Sequence, residues 1–281
     1  MGSDVKKVLL VYYSQTGQLA KLAQNFTEPL QQGGVHVDCV NLEPQEPYPF
    51  PWSFWRFFNT FPETVHLKPA PILPPAIPAD DYDVVVIAYT VWFLSPAQPI
   101  TAFLQREETR RLLNGKPVVT LIGCRNMWLG AQEKMKSLLA QNGAKLIGNI
   151  VKIDACNSAA SFITTPAWLL SGDKQYFRAL PSAGIADGEL ADAARFGAKM
   201  RDALLQNKTL DETLFQNMGA AKVNEKLIFS EKAAGRSFFL WGRLLMVAGR
   251  VSHLLRRALL CFYILFLLAM ILVLVPVSVL V

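Results

Sequence analysis

Apolar and polar positions alternate in two rhythms over the first 205 residues. Val8-Leu9-Leu10-Val11-Tyr12-Tyr13 is a continuous apolar run, the pattern of a strand buried on both faces in a parallel sheet. Leu19, Ala20, Leu22, Ala23 and Phe26 then recur at helical spacing. Gly33-Gly34 turns the chain into an alternating strand, Val35 to Val40, with His36 on its polar side. Tyr82 to Tyr89 predicts a third strand and Val118 to Gly123 a fourth, with a helix through Ile100, Phe103 and Leu104 between them. A helix from about Gly130 to Gln141 leads to a fifth strand, Lys145 to Ile153. Glu189 to Leu205 closes the pattern as a helix whose packing stripe is Leu190, Ala193, Gly197, Met200 and Leu204. Strands alternating with helices predict an α/β domain over 1–205, a doubly wound five-stranded parallel sheet.

Two stretches break the rhythm. Residues 44–80 hold ten of the seventeen prolines together with eight aromatic residues from Tyr48 to Phe61. Proline at that density argues against long helices or central strands. Aromatic residues in that number argue for an ordered, packed insert with one or two helical turns near Trp52 to Phe58. Residues 155–188 form a second irregular segment. Beyond 205 the reading is a linker (206–235), an Arg-rich amphipathic helix (236–257) and a transmembrane anchor (258–281). Arg236, Arg243, Arg250 and Arg257 fall seven apart, close to one face of a helix, as for a helix lying among anionic lipid headgroups. Ala258 to Val281 is 24 residues without a charge, long enough for a bilayer core of roughly 30 Å.

Composition sharpens this division. Mean hydropathy is +0.25, and the excess lies in the last 24 residues. Residues 1–208 carry 20 basic and 18 acidic side chains, whereas 236–281 carry five Arg and no acid. The net charge of +6 therefore owes much to the tail, and a nucleic-acid partner is not expected. Cys39, Cys124, Cys156 and Cys261 show no CxxC spacing, and His36, His66 and His253 share no ligand spacing with them. A reducing compartment fits and a metal site is not expected. No apolar segment with basic flanks opens the chain, so no signal peptide is expected. Arg250, Arg256 and Arg257 ahead of the apolar run place the large domain on the cytoplasmic face of the cell membrane.

Ser14-Gln15-Thr16-Gly17-Gln18-Leu19 joins the first strand to the first helix. Hydroxyls, free backbone N–H groups and a helix N-terminus converge there on an anion, and Gly17 allows close approach. Walker-A and Gly-x-Gly-x-x-Gly spacings are absent. The loop resembles the phosphate loop of the flavodoxin-like family, Ser/Thr-x-Thr-Gly-x-Thr/Ser, with Gln18 and Leu19 where the last hydroxyl is usual. That resemblance implies FMN. It also implies that the loops after the third and fourth strands frame the flavin: Thr90, Val91, Trp92 and Phe93, then Cys124, Arg125, Asn126 and Trp128. Trp92, Phe93 and Trp128 would lie against the ring, and the backbone N–H groups of Trp92, Phe93, Arg125 and Asn126 would face its pyrimidine edge.

YYSQTGQL, PFPW with FPET after it, TTPAWLLSG and PSAGI resemble, more closely, the flavodoxin-like proteins of dialkylresorcinol biosynthesis, often labelled dialkylresorcinol condensing enzymes. The resemblance covers about residues 5–205 and implies an FMN-dependent oxidation that aromatises a lipophilic cyclic diketone, with a ketosynthase as partner. The chain shows no Ser/His/Asp triad or Cys/His pair for acyl condensation. Tyr48, Glu63, His66 and Tyr176 are candidate bases among which the sequence does not choose. Two other readings stand beside this one: a membrane-associated quinone reductase fed by NAD(P)H, and a flavin-free scaffold for the ketosynthase. A homodimer contact through the aromatic insert also stays open.

Overall fold

A computed structural model of the protein describes residues 5–79, 81–156 and 158–280. Five parallel strands form the sheet: β1 (Lys7–Tyr12), β2 (His36–Asn41), β3 (Val84–Trp92), β5 (Pro117–Cys124) and β6 (Lys145–Ile153). Their order is β2-β1-β3-β5-β6, and a two-residue strand β4 (Ser95–Pro96) pairs antiparallel with the end of β3. This is the flavodoxin-like arrangement, in which the strand order reverses between β1 and β3 and leaves a crevice at their carboxyl ends. Register runs Leu10↔Cys39, Leu10↔Val86 and Ile87↔Thr120 across the centre.

Successive strand residues enter opposite layers, as a pleat requires. Val8, Leu10, Val86 and Ala88 face α1 (Gln18–Gln32) and α8 (Ala193–Leu205). Leu9, Val11, Val85 and Ile87 face α3 (Gln98–Leu104), α4 (Glu107–Leu113) and α5 (Leu129–Gln141). Helices α1 and α8 meet closely at Gly197, where an added Cβ would lie 1.9 Å from the Phe26 carbonyl oxygen. The expected final helix is broken at Asp192 into α7 (Asp187–Ala191) and α8. The Asp192 carboxylate and Glu189 hold the buried Lys152 ammonium at 2.5 and 2.8 Å, pinning both helices to β6. On the other face Tyr89 Oη donates to Gln132, Gln132 donates to Thr120, and Thr120 donates to Asn149. Buried polar groups so paired fix the strands laterally without leaving a desolvated donor.

Four boundaries differ from the sequence reading. The aromatic insert contains a three-turn helix, α2 (Phe54–Val65), with Pro62 inside it. Its prolines lie mostly outside those twelve residues, and burial of Phe61 and Val65 outweighs the backbone hydrogen bond that Pro62 cannot make. The segment after β6 contains α6 (Ser158–Ser171) around Pro166. Within the expected linker, 210–220 pack on the domain, with Leu214 and Phe215 buried on the α1/α8 layer and Val151 N–H donating to the Ala220 carbonyl, while 221–226 run exposed toward α9. The Arg-rich helix begins earlier and ends earlier than expected, as α9 (Ile228–Val251), and extended backbone at Ser252 turns the chain into α10 (His253–Leu280).

Helices α9 and α10 form a hairpin, with the Trp241 ring 5.4 Å from Tyr263 and 5.5 Å from Phe266. The hairpin is seated on α2 through Phe61, Val65, Leu245, Leu260, Tyr263 and Ile264. Within α10, His253–Met270 is long and apolar enough to cross a membrane, and only 17% of it is buried in the protein.

Candidate functional site

The loop from Ser14 to Leu19 sits at the carboxyl end of β1, beside the loops that leave β3 and β5. Gly17 takes φ +81°, and the space a side chain would fill there is open. Ser14 Oγ accepts from Ala20 N–H at 3.1 Å and so caps the first turn of α1. The backbone N–H groups that open α1 have no partner inside the helix by its geometry, which leaves donors at the loop. Ser14 and Thr16 are half-buried hydroxyl residues beside them. This donor set suits a phosphate held without a cationic side chain.

The two glutamines of the loop bind protein. Gln15 Nε2 donates to the Pro49 carbonyl at 2.7 Å, and its Oε1 accepts from Trp52 Nε1 at 3.0 Å. Gln18 Nε2 donates to the Ile185 carbonyl at 3.0 Å, while Ile185 N–H donates to Gln18 Oε1 at 3.2 Å. Gln18, at the variable position of the family pattern, is thus a clamp to the segment after α6. The side chains of Gln15 and Gln18 therefore shape the loop, and only their backbones face a ligand. Leu19 is buried beneath it in the α1 layer.

At the end of β3, Trp92 stands in an aromatic group with Tyr48 (5.0 Å), Trp52 (5.4 Å) and Tyr13 (6.0 Å between centroids). Trp92 is thus the aromatic of this loop that borders the Ser14–Leu19 loop, through Trp52 and Gln15. Phe93 does not share that position. It and Leu94 adopt φ of +49° and +57° in the two-residue turn between Trp92 and Ser95, a left-handed geometry uncommon for such residues. The turn carries the Phe93 ring to Phe57 (5.0 Å) and Phe61 (5.4 Å), on the hairpin side. Thr90 and Val91 are held by pairing, with the Thr90 carbonyl accepting from Ala97 N–H and Val91 opposite Pro96.

The loop after β5 is governed by two carboxylates that sequence reasoning missed. Asp154 Oδ2 accepts from Gly184 N–H at 2.8 Å, Oδ1 accepts from Cys156 N–H at 2.8 Å, and Asp154 N–H donates to the Cys124 carbonyl. Arg125 lies in this environment; burial lowers its pKa to about 10, and the Asp154 charge opposes that shift. Burial pushes the Cys124 thiol up, out of thiolate chemistry. Trp128 is buried under α5 as part of the core, so it is no free wall for a ring. Asn126 stays half-buried in the loop. The second carboxylate, Glu231 on α9, accepts from Gly130 N–H at 2.6 Å and caps the first turn of α5 from outside the domain. Their lone Asp and Glu codes carried no spacing signal.

Of the candidate bases, Glu63 is paired with Arg256 and the His66 ring nitrogen meets the Phe239 carbonyl at 2.9 Å. Tyr176 is exposed beside Phe177. Tyr48 alone borders Trp92, but its hydroxyl donates to Gln98 Oε1 at 2.7 Å, and burial, partly offset by Arg56, raises its pKa to about 12. Tyr48 is therefore a positioned wall and hydrogen-bond donor, not a base. Among the described residues no group of His, Cys, Asp and Glu is arranged to hold a metal.

No protein-family model matches the chain, and no curated protein matches it. Solved structures similar to it include a flavoprotein in complex with FMN from Lactobacillus acidophilus NCFM, at 18% identity over 52% of this chain and 93% of that one, TM-score 0.43. A flavodoxin from the domain Archaea is 11% identical over 71% of this chain and 99% of that one, TM-score 0.40. A flavone reductase is 13% identical over 78% of this chain and 66% of that one, TM-score 0.39. These likenesses are of fold.

Proposed function

We propose that the chain is an FMN-dependent oxidoreductase of the membrane face, acting on a lipophilic substrate. One observation carries the reading: a single insert touches both the phosphate loop and the apolar hairpin. Trp52 bonds to Gln15 at one end of it, and Phe61 stacks on Tyr263 at 4.7 Å at the other. A substrate leaving the acyl layer along this insert would meet apolar rings up to Trp92. On α9 and α10, Phe229, Leu240, Val251, Leu254, Phe262 and Leu265 are each 60% exposed or more, and bare apolar residues in that number support attachment to lipid.

The residues present fit FMN in its phosphate half. Open space over Gly17, the Ser14 and Thr16 hydroxyls and the N-terminus of α1 would hold the phosphate. Trp92 and Tyr48 would bound the ring side and exclude water. When bound, FMN supplies a two-electron acceptor. Following the resemblance of the sequence, the reaction is the dehydrogenation that turns an alkylated cyclic diketone into a resorcinol. The proton between two carbonyls is acidic, so orientation against the aromatic wall is the main task left to the chain.

The test uses the full chain in nonionic detergent, titrated with FMN and passed through gel filtration. Retained flavin is expected, with affinity about tenfold lower in Thr16→Val, the loss of one hydrogen bond to a charged group. Anaerobic addition of an alkylated cyclohexanedione should then bleach the flavin band near roughly 450 nm. A chain that retains no FMN overturns the reading, and flavin that the diketone leaves oxidised overturns its substrate.

A further inference from the structure

A cleft of about 760 Å³ opens where α2 meets the bend of the hairpin, lined in part by Trp55, Lys68, Arg250, His253 and Arg257. Its back wall is fixed. Arg256 makes a bidentate pair with Glu63 at 2.6 and 2.9 Å, and also reaches the Asn59 carbonyl at 3.0 Å. That pair cancels its own charge and occupies the guanidinium. Among the described residues Lys68, Arg250 and Arg257 have no carboxylate in an ion pair. Arg257 is instead laid over the Trp55 ring at 4.9 Å, which holds the guanidinium plane in place. Glu63, the carboxylate in the lining, is taken up by Arg256, so three further cations line the cleft without an ion-pair partner among the described residues.

The bare apolar residues next in the chain to the lining make its collar: Val251 (74% exposed) follows Arg250, Leu254 (80%) follows His253, and Phe54 (43%) precedes Trp55 (40%), which itself lines the cleft. Cations inside and bare aliphatic residues at the rim match an amphiphile whose head is anionic and whose tails run outward. A free phosphate would use the cations and leave the collar in water, so the collar points to lipid.

We propose that this cleft is a headgroup site for an anionic phospholipid, in which Arg250, Arg257 and Lys68 hold the phosphate and the collar meets the first acyl carbons. The proposal rests on attachment of the hairpin to lipid, and it names the residues that choose the lipid. It moves the lipid contact from the heptad of arginines to the bend: Arg236 and Arg243 lie outside the cleft, and Arg250 and Arg257 stand on two different helices, on either side of the break at Ser252.

The experiment has two arms on the full chain. In nonionic detergent, short-chain phosphatidylglycerol and phosphatidylcholine are titrated and bound lipid is counted by native mass spectrometry, with glycerol phosphate as the tail-less probe. The wild type is expected to prefer phosphatidylglycerol by about tenfold or more, and to bind glycerol phosphate at least tenfold more weakly. Arg250→Gln with Arg257→Gln should abolish the preference, while Arg236→Gln with Arg243→Gln, an equal loss of charge, should keep it. Equal losses in the two double variants would mean diffuse attraction and overturn the site, as would glycerol phosphate binding as well as the lipid. In the second arm, detergent is removed in the presence of neutral phosphatidylcholine vesicles and the chain is floated. Flotation without any headgroup preference overturns the cleft alone; failure to float overturns the attachment and the site together.

Discussion

Leu9 and Leu10 stand back to back on β1 and both are fully covered, one in each layer of the sheet. Along α10 the same residue type is divided. Leu260 is covered by α2 and α9, whereas Phe262, Leu265 and Leu268 are 60%, 65% and 51% exposed. The sheet closes its apolar account inside the protein, with a helix layer on each face. The hairpin closes only half of it, because α2 and α9 offer one surface and nothing of the described chain covers the other. The difference teaches that apolar content alone does not name a core. A segment's second face decides whether its solvent is protein or lipid.

The largest effect expected on this contrast comes from ending the chain at residue 223, which removes the hairpin and keeps Phe215 and Ala220 in place. Phe61, Val65 and Phe93 are then uncovered. Amides of α2 should lose at least about 100-fold of their hydrogen-exchange protection while those of β1, β3 and β5 keep theirs. Unchanged protection in α2 would mean that the insert needs no hairpin. Next, Phe61→Ala should cost about 3–5 kcal/mol, measured by denaturant unfolding, with proteolysis releasing α9 and α10 before the sheet. Loss of sheet and hairpin in one step would erase the distinction between them.

On the sheet side, Gly197→Ala places a methyl group against the Phe26 carbonyl and should cost about 1–3 kcal/mol through separation of α1 from α8. The hairpin should stay seated, as judged by unchanged protease resistance between 228 and 251. The smallest effect is at the joint between the regions. Glu231→Ala leaves the Gly130 N–H without its acceptor and should cost about 1–2 kcal/mol, and Glu231→Gln less. Burial raises the Glu231 carboxyl pKa from its ordinary 4.5, so the folded state holds this proton more tightly than the unfolded state. Its contribution is full below pH 4.5 and is lost as pH rises through the higher folded value. The thermal midpoint of the wild type should therefore fall across that window relative to Glu231→Gln; parallel curves would show that the joint does not titrate.

Much of the sheet was legible because strands buried on both faces read as unbroken apolar runs. Val8 to Val11, Val84 to Tyr89 and Val118 to Ile122, the last broken only by Thr120, left little else to choose. The loop at Ser14 was legible for a related reason: a buried strand feeding a helix exposes donors at the turn whatever surrounds it. The insert was misread because proline counts describe a segment on average, and the twelve residues of α2 hold only Pro62. Phe93 was misplaced because a tight turn after Trp92 sends adjacent aromatics to opposite sides. Gln18 carried no signal in the sequence and is a clamp whose partner, Ile185, lies far along the chain.

The sequence by itself determined the strand and helix rhythm, the hydroxyl loop at the end of β1 and the charge-free run at the C-terminus, because each follows from local periodicity or local donors. Only the tertiary structure decided which side chains stand at the crevice, that Glu231 of the tail caps α5, and that Trp55 and Lys68 share a cleft with Arg250 and Arg257. Those depend on contacts between residues distant in the chain and on one break at Ser252, and pairings across such distances leave no periodic trace in the residues that make them.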